Sequence, residues 1–384
     1  MAQWNRVPLI DYIELIGGGT PKTTVPEYWN GNIPWLSVKD FNNDKRYVYS
    51  TEKHISQSGF ENSPTKMLHK DDIIISARGT VGEIAMIPFD MAFNQSCYGI
   101  RASRGIDQPF LYYLLKNCIS QLKRMTHGSV FDTITRDTFA NIEVDIPDAE
   151  TQKRISSVLA DIDNKIEVND AINDNLQQQA DALFSSLYDR SNTEVRFTDL
   201  IQILGGGTPK TGENTYWNGN IAFFTPKDVG TPYTLITEKT ISKEGLSHCN
   251  SRLYPVNTVF VTARGTVGKV GMSGVPMAMN QSCYALVGKE THQLLVYFYT
   301  LKAVDRLKHK ASGAVFDAIT TRDFESEQIM KLSDDDATAF LRVAEPMFQE
   351  VLNNNIENLR LSTLRDSLLP KLMSGEIDVS AVQL

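Results

Sequence analysis

GGGTPKT at residues 17–23 returns letter for letter at 205–211, and that recurrence decides how the chain is built. The stretches around it return too. YWNGNI at 28–33 recurs at 216–221, and Lys39-Asp40 recurs as Lys227-Asp228. TEKxIS at 51–56 recurs at 237–242, ARGTVG at 77–82 at 263–268, NQSCY at 94–98 at 280–284, and VFDxIT at 130–135 at 315–320. The offset drifts only from 188 to 186 to 185, so few residues were gained or lost. The unit is a duplicated domain of about 140 residues, far longer than a solenoid or propeller repeat.

Each copy runs into a segment of different character. Ile155, Leu159, Ile162, Ile166, Asn169, Asn173, Leu176, Ala180, Leu183 and Leu187 follow a 4-3-4-3 spacing, the seam of a heptad helix. The same frame reappears 185 residues on as Phe340, Ala344, Met347, Val351, Asn354, Asn358, Leu361, Arg365, Leu368 and Leu372. Asp148 is placed to cap the first helix, Ser333 with Asp336 reads as a capping box for the second, and Gly375 stands just past its end. Asn169, Asn173, Asn354 and Asn358 straddle the two midpoints, so paired helices bring them together whether they run parallel or antiparallel. Buried Asn at a seam position sacrifices stability and fixes register. A seam of about 33 residues would span on the order of 50 Å as a rigid spacer, given 1.5 Å per residue. Pro346 inside the second seam predicts a bend near its start, and Pro370 falls near its end. The competing arrangement is two separate surface helices, each packed on its own domain.

The 384 residues carry 38 Lys+Arg against 46 Asp+Glu, a formal net charge of −8. The length suits two or three domains, and the acidity argues against a protein that coats nucleic acid or anionic membrane by bulk charge. Mapped by segment, residues 1–147 carry −1, 148–192 carry −5, 193–332 carry +3 and 333–384 carry −5. The acidity thus belongs to the helical segments, and the near-neutral repeats remain free to present a basic face. No signal peptide and no apolar run of spanning length is visible. Cys97, Cys118, Cys249 and Cys283 form no CxxC and no disulfide framework. A reduced, cytoplasmic setting is expected, with no membrane partner.

Catalytic signatures are missing. GGGTPKT differs from a phosphate-binding loop by Pro21 and Pro209, which stand where a glycine N–H is needed before the lysine. Pro147-Asp148 with Asp163-Asn164-Lys165 imitates a nuclease motif, but on a heptad helix the acid and lysine at i and i+2 point apart. No Pro-Pro occurs, as a methyltransferase loop would require, and there is no GxSxG. The six histidines show no HExxH and no cysteine clustering, so no metal site is expected.

What remains is a set of duplicated polar loops. IIIS at 73–76 and VFVT at 259–262 read as buried strands running into Ala-Arg-Gly-Thr, a turn that would present Arg78 and Thr80, or Arg264 and Thr266. Asn94, Gln95, Asn280 and Gln281 offer amides that pair bidentately with adenine, while arginine suits guanine. Thr20, Lys22, Thr23, Lys39 and Arg136, with their repeats Thr208, Lys210, Thr211, Lys227 and Arg322, are candidate contacts of a DNA surface, the lysines and arginines to phosphate. The alternative for each is structural: turn glycines, Asx caps, solvated lysines, or, for the amides, a buried hydrogen-bonding pair. Tyr28, Trp29, Tyr216 and Trp217 read as core more readily than as base-stacking platforms.

These motifs, in this order and followed by IEVDIPDAETQKRI at 142–155 and LRDSLLPKLMSGEI at 364–377, resemble the specificity (S) subunit of type I restriction-modification enzymes over essentially the whole chain. The resemblance implies an α+β protein: target recognition domains at 1–147 and 193–332, and spacer helices at 148–192 and 333–384 forming an antiparallel coiled coil. It implies a non-catalytic subunit that reads a bipartite site in double-stranded DNA, one half per domain. The helices would dock two methyltransferase subunits, and two restriction subunits would complete the assembly. S-adenosylmethionine, ATP and magnesium would serve those partners, with no cofactor on this chain. Competing expectations are the specificity subunit of an enzyme that cuts both sides of a bipartite site, a self-contained nuclease-methyltransferase, and a duplicated adhesin-like binder of carbohydrate or protein.

Overall fold

Short apolar runs between turn signals form the strands. In the computed structural model, which describes residues 4–41, 45–126, 133–230, 232–310 and 318–379, both copies build two corresponding sheets from them, of four and four strands in the first and five and three in the second. In the first copy Ile13–Gly17, Cys97–Ala102, Ile73–Ser76 and Ile84–Met86 lie side by side, all antiparallel. A second sheet orders Lys53–Ile55, Trp29–Leu36, Met91–Phe93 and Met67–Leu68, with Trp29–Leu36 parallel to Met91–Phe93. The second copy repeats both: Ile201–Gly205, Cys283–Gly288, Val259–Thr262, Val270–Ser273 and Tyr233–Thr234 in one sheet, and Lys239–Ile241, Trp217–Phe224 and Met277–Met279 in the other. The runs expected as buried strands, 73–76 and 259–262, are buried at every residue. The fold class is α+β.

WNGNI breaks the strand it sits in. Asn30 and Asn218 adopt φ +59°, and the pairing register shifts between Trp29 and Ile33 and between Trp217 and Ile221. Asparagine tolerates this left-handed conformation because its short side chain bonds locally.

The chain divides into two compact units, Met1–Glu167 with Leu359–Leu384, and Val168–Asn358. The two long helices, Ala149–Asp189 and Asp334–Met373, each contribute to both. In the first unit Ile155 and Leu159 join Leu369 and Leu372 in one core with Ile73, Ile100 and Phe110. In the second, Ala180, Phe184 and Leu187 join Phe340, Ala344 and Val351 around Val259 and Val296. All twenty seam positions are buried or half-buried. Direction is set within each unit. In the first, Arg365 Nη1 meets Asp163 Oδ1 at 2.8 Å; in the second, Asn354 Nδ2 donates to Asn173 Oδ1 and Asn169 Nδ2 to Asn358 Oδ1, both at 2.9 Å. Residue numbers rise on one helix as they fall on the other, so the pairing is antiparallel.

The helix ends follow their caps, with one correction. Asp148 accepts from Thr151 N at 2.9 Å, and Ser333 Oγ accepts from Asp336 N at 3.1 Å. The reciprocal half of the expected box goes elsewhere: Asp336 accepts from the Ser333 hydroxyl at 2.9 Å and from Arg190 at 2.6 Å. Pro346 does not interrupt the second helix, which runs unbroken from Asp334 to Met373 with Pro346 exposed on its outer side. Gly375 follows at φ +70°.

Candidate nucleic-acid interface

Four repeated loops converge in each copy, and backbone hydrogen bonds hold them there. The glycine-rich loop lies on the NQS loop: Gly19 N donates to Phe93 O at 3.0 Å, and Gly207 N to Met279 O at 3.1 Å. A Cβ at Gly18 or Gly206 would stand 2.1 or 2.3 Å from the carbonyl oxygen of Asn94 or Asn280, so no other residue fits this approach. The NQS loop in turn holds the ARGT turn. Ser96 O accepts from Ala77 N (2.7 Å) and Arg78 N (3.2 Å), and Ser282 O from Ala263 N (2.8 Å) and Arg264 N (3.2 Å). Gly79 and Gly265, at φ +82° and +84°, close that turn. Ile134 N and Ile319 N then donate to Ala77 O and Ala263 O, both at 3.0 Å, which brings in Arg136 and Arg322 two and three residues further on. Val130, Phe131, Asp132, Val315, Phe316 and Asp317 of the adjoining motif lie outside the described residues.

The side chains divide by task. Thr20 donates to Gln95 Oε1 and Thr208 to Gln281 Oε1, so the same threonine–glutamine pair caps both clusters, with both glutamines exposed. Lys22, Thr23, Lys39, Arg78, Thr80 and Arg136 are exposed, as are Lys210, Thr211, Lys227, Arg264, Thr266 and Arg322. Asn94 and Asn280 are half-buried, and their Oδ1 atoms accept from Ser96 N and Ser282 N at 3.0 Å in Asx turns. Thr266 Oγ1 donates to Pro226 O at 3.2 Å, and Lys227 stands 3.7 Å from Glu238.

Several residues hold the loops in a role that the sequence did not assign to them. Asp40 accepts from Ser37 N (2.7 Å), Ser37 Oγ (2.9 Å) and Glu52 N (2.7 Å). Asp228 accepts from Thr225 N (2.8 Å), Thr225 Oγ1 (2.6 Å) and Glu238 N (2.7 Å). This explains why KD and TEK return together. Ser76 and Thr262 bridge the ARGTVG turn, each donating to the Thr carbonyl and accepting from Glu83 N or Lys269 N. Trp29 and Trp217 donate from Nε1 to Lys22 O (3.3 Å) and Lys210 O (3.1 Å), with Lys53 and Lys239 over their rings at 5.6 and 5.7 Å. The tryptophans are thus half-buried struts of the glycine loop. Burial, with Asp40 or Asp228 nearby, pushes the Cys97 and Cys283 thiols beneath these loops up to about 12, so both stay protonated and inert. Among the described residues no group of three or more His, Cys, Asp or Glu could hold a metal ion, and no helix is long and apolar enough to cross a membrane.

The sequence of the chain matches a known family twice, over residues 1–178 and 190–331: the type I restriction modification DNA specificity domain. The chain belongs to that family. It is a specificity subunit with two DNA specificity domains. It is similar to the type I restriction enzyme MjaIX specificity subunit of Methanocaldococcus jannaschii, at 24% identity over 98% of this chain and 94% of the other. The HindI specificity subunit of Haemophilus influenzae is 25% identical over 70% of this chain and 77% of its own. The crystal structure of a type I restriction-modification system S subunit from M. genitalium shares the fold, with a TM-score of 0.59 at 13% identity over 97% of this chain and 96% of that one.

Proposed function

We propose that this specificity subunit is non-catalytic by itself and reads a bipartite site in double-stranded DNA, one half through residues 1–147 and the other through 193–332. The observation that carries the reading is the repeated cluster: exposed Gln95, Arg78, Lys22 and Arg136, and their counterparts, on loops held at fixed geometry by backbone hydrogen bonds. Amide and guanidinium groups are the side chains that read adenine and guanine edges, and lysines anchor to phosphate. The helical segments 148–192 and 333–384 serve as spacer and as docking surface for two methyltransferase subunits, with two restriction subunits completing the assembly in the cytoplasm. S-adenosylmethionine, ATP and magnesium act in those partners.

The test is long-read methylation sequencing of cells expressing this chain with its methyltransferase. One bipartite motif, absent when this chain is deleted, is expected. Methylation that persists without the chain, or a continuous unsplit motif, overturns the reading. In vitro, the chain with its methyltransferase should bind the mapped site with a steep inverse dependence on salt.

A further inference from the structure

The duplication is broken at one place, and the break is coordinated. In the first unit Asp163 and Arg365 are 4% and 8% exposed. Arg365 Nη1 lies 2.8 Å from Asp163 Oδ1, and the Tyr113 hydroxyl donates to Asp163 Oδ2 at 2.6 Å. The offset of 185 equates Tyr113 with Phe298, Asp163 with Phe348, and Ala180 with Arg365. In the second unit, then, the site of the ion pair is apolar. Phe348 packs on Phe298 and Tyr297 at ring separations of 5.5 and 5.8 Å, and fully buried Ala180 belongs to the same cluster. Tyrosine has lost its hydroxyl where the carboxylate it served is gone. Three residues differ together.

A heptad seam shared by both helices has a built-in competitor. Because the two helices carry the same frame, the first could pair antiparallel with the first helix of a second copy, and the second with the second. In that like-with-like register Asp163 would face Ala180, and Arg365 would face Phe348. Asp163 would be buried with no counterion and Arg365 would keep only the exposed Asp366, 2.9 Å away on its own helix, which is strongly unfavourable, whereas unlike pairing gives each buried charge its partner. Asn169, Asn173, Asn354 and Asn358 do not discriminate, since asparagines stand at equivalent positions on both helices.

We propose that Asp163 and Arg365 select the partner helix, admitting the unlike helix and rejecting the same helix of a second copy of this chain. The pair acts whatever DNA the subunit reads. Two full-length variants remove the asymmetry from opposite directions. Asp163→Phe with Arg365→Ala makes both sites apolar; Ala180→Arg with Phe348→Asp puts an ion pair in both. Each should refold from denaturant with at least a tenfold larger dimer fraction than wild type, by light scattering after size exclusion. Cross-linking of mixed isotope-light and isotope-heavy chains should then join first helix to first helix. Asp163→Arg with Arg365→Asp keeps the asymmetry with signs exchanged and should show the same dimer fraction as wild type. A wild-type dimer fraction in either symmetrised chain that folds overturns the proposal. It is equally overturned if neither folds while the sign-exchanged chain does, since the pair then serves only the stability of the first unit.

Discussion

Asp228 and Arg264 stand in one loop cluster, and the structure separates their tasks. The Asp228 carboxylate accepts three hydrogen bonds from the TPKD and TEK segments, while the Arg264 side chain is exposed on a turn fixed through its own backbone N–H. Asp228→Ala removes a charged acceptor from one half-buried and one exposed N–H group and should cost about 1–3 kcal/mol of stability by denaturant titration. Arg264→Ala should leave stability within about 0.5 kcal/mol. If Arg264 reads a base, the same change weakens cognate binding by about 1–3 kcal/mol and relaxes sequence preference at one position. Unchanged specific affinity of the folded variant returns Arg264 to a structural role. The sequence marked both residues as repeated and could not separate them, because repetition reports a shared environment and says nothing of which way a side chain points. The Thr20–Gln95 contact was equally hidden: its partners lie 75 residues apart and meet only once the sheets are formed.

The long helices were the most legible elements. Their period is local, so every seam position could be named from spacing alone, and the N-caps lie within one turn. Direction was not legible, since a heptad frame reads the same for parallel and antiparallel partners. The role of Asp163 was hidden for a related reason: it flanks the seam, and its partners Arg365 and Tyr113 lie 202 and 50 residues away in the sequence. The buried asparagines allow a test of coupling. Asn173 accepts from Asn354 and donates to Asn355, both at 2.9 Å. Asn173→Leu should destabilise by about 1–3 kcal/mol, because it strands the Asn354 amide. Asn173→Leu with Asn354→Leu removes both partners and should recover most of that loss, giving a coupling of about 1 kcal/mol or more in a double-mutant cycle. Additive losses would show that the two amides are hydrated independently and do not hold one another.

At the scale of the molecule, the duplication constrains the DNA. Nine candidate contacts are identical in the two copies: Thr20, Lys22, Thr23, Lys39, Arg78, Thr80, Asn94, Gln95 and Arg136 correspond to Thr208, Lys210, Thr211, Lys227, Arg264, Thr266, Asn280, Gln281 and Arg322. They stand on loops with matching hydrogen bonds, down to the threonine–glutamine pair. If these shared side chains contact bases, closely similar settings would have them read the same base edges, so the two half-sites should be related. We propose that the two half-sites are also inverted, as the half-sites of symmetric DNA-binding dimers are. The expected target is therefore a nearly palindromic bipartite sequence, and methylation mapping reads it directly. Two unrelated half-sites would carry a definite consequence. The nine shared pairs would then be backbone anchors, which fix orientation without carrying sequence. Base reading would move to residues that differ between the copies, such as Thr24-Val25-Pro26-Glu27 against Gly212-Glu213-Asn214-Thr215, directly after the shared glycine loop. Exchanging those two tetrapeptides within the full chain would then exchange the half-sites, whereas under the palindromic reading it would leave the mapped motif unchanged.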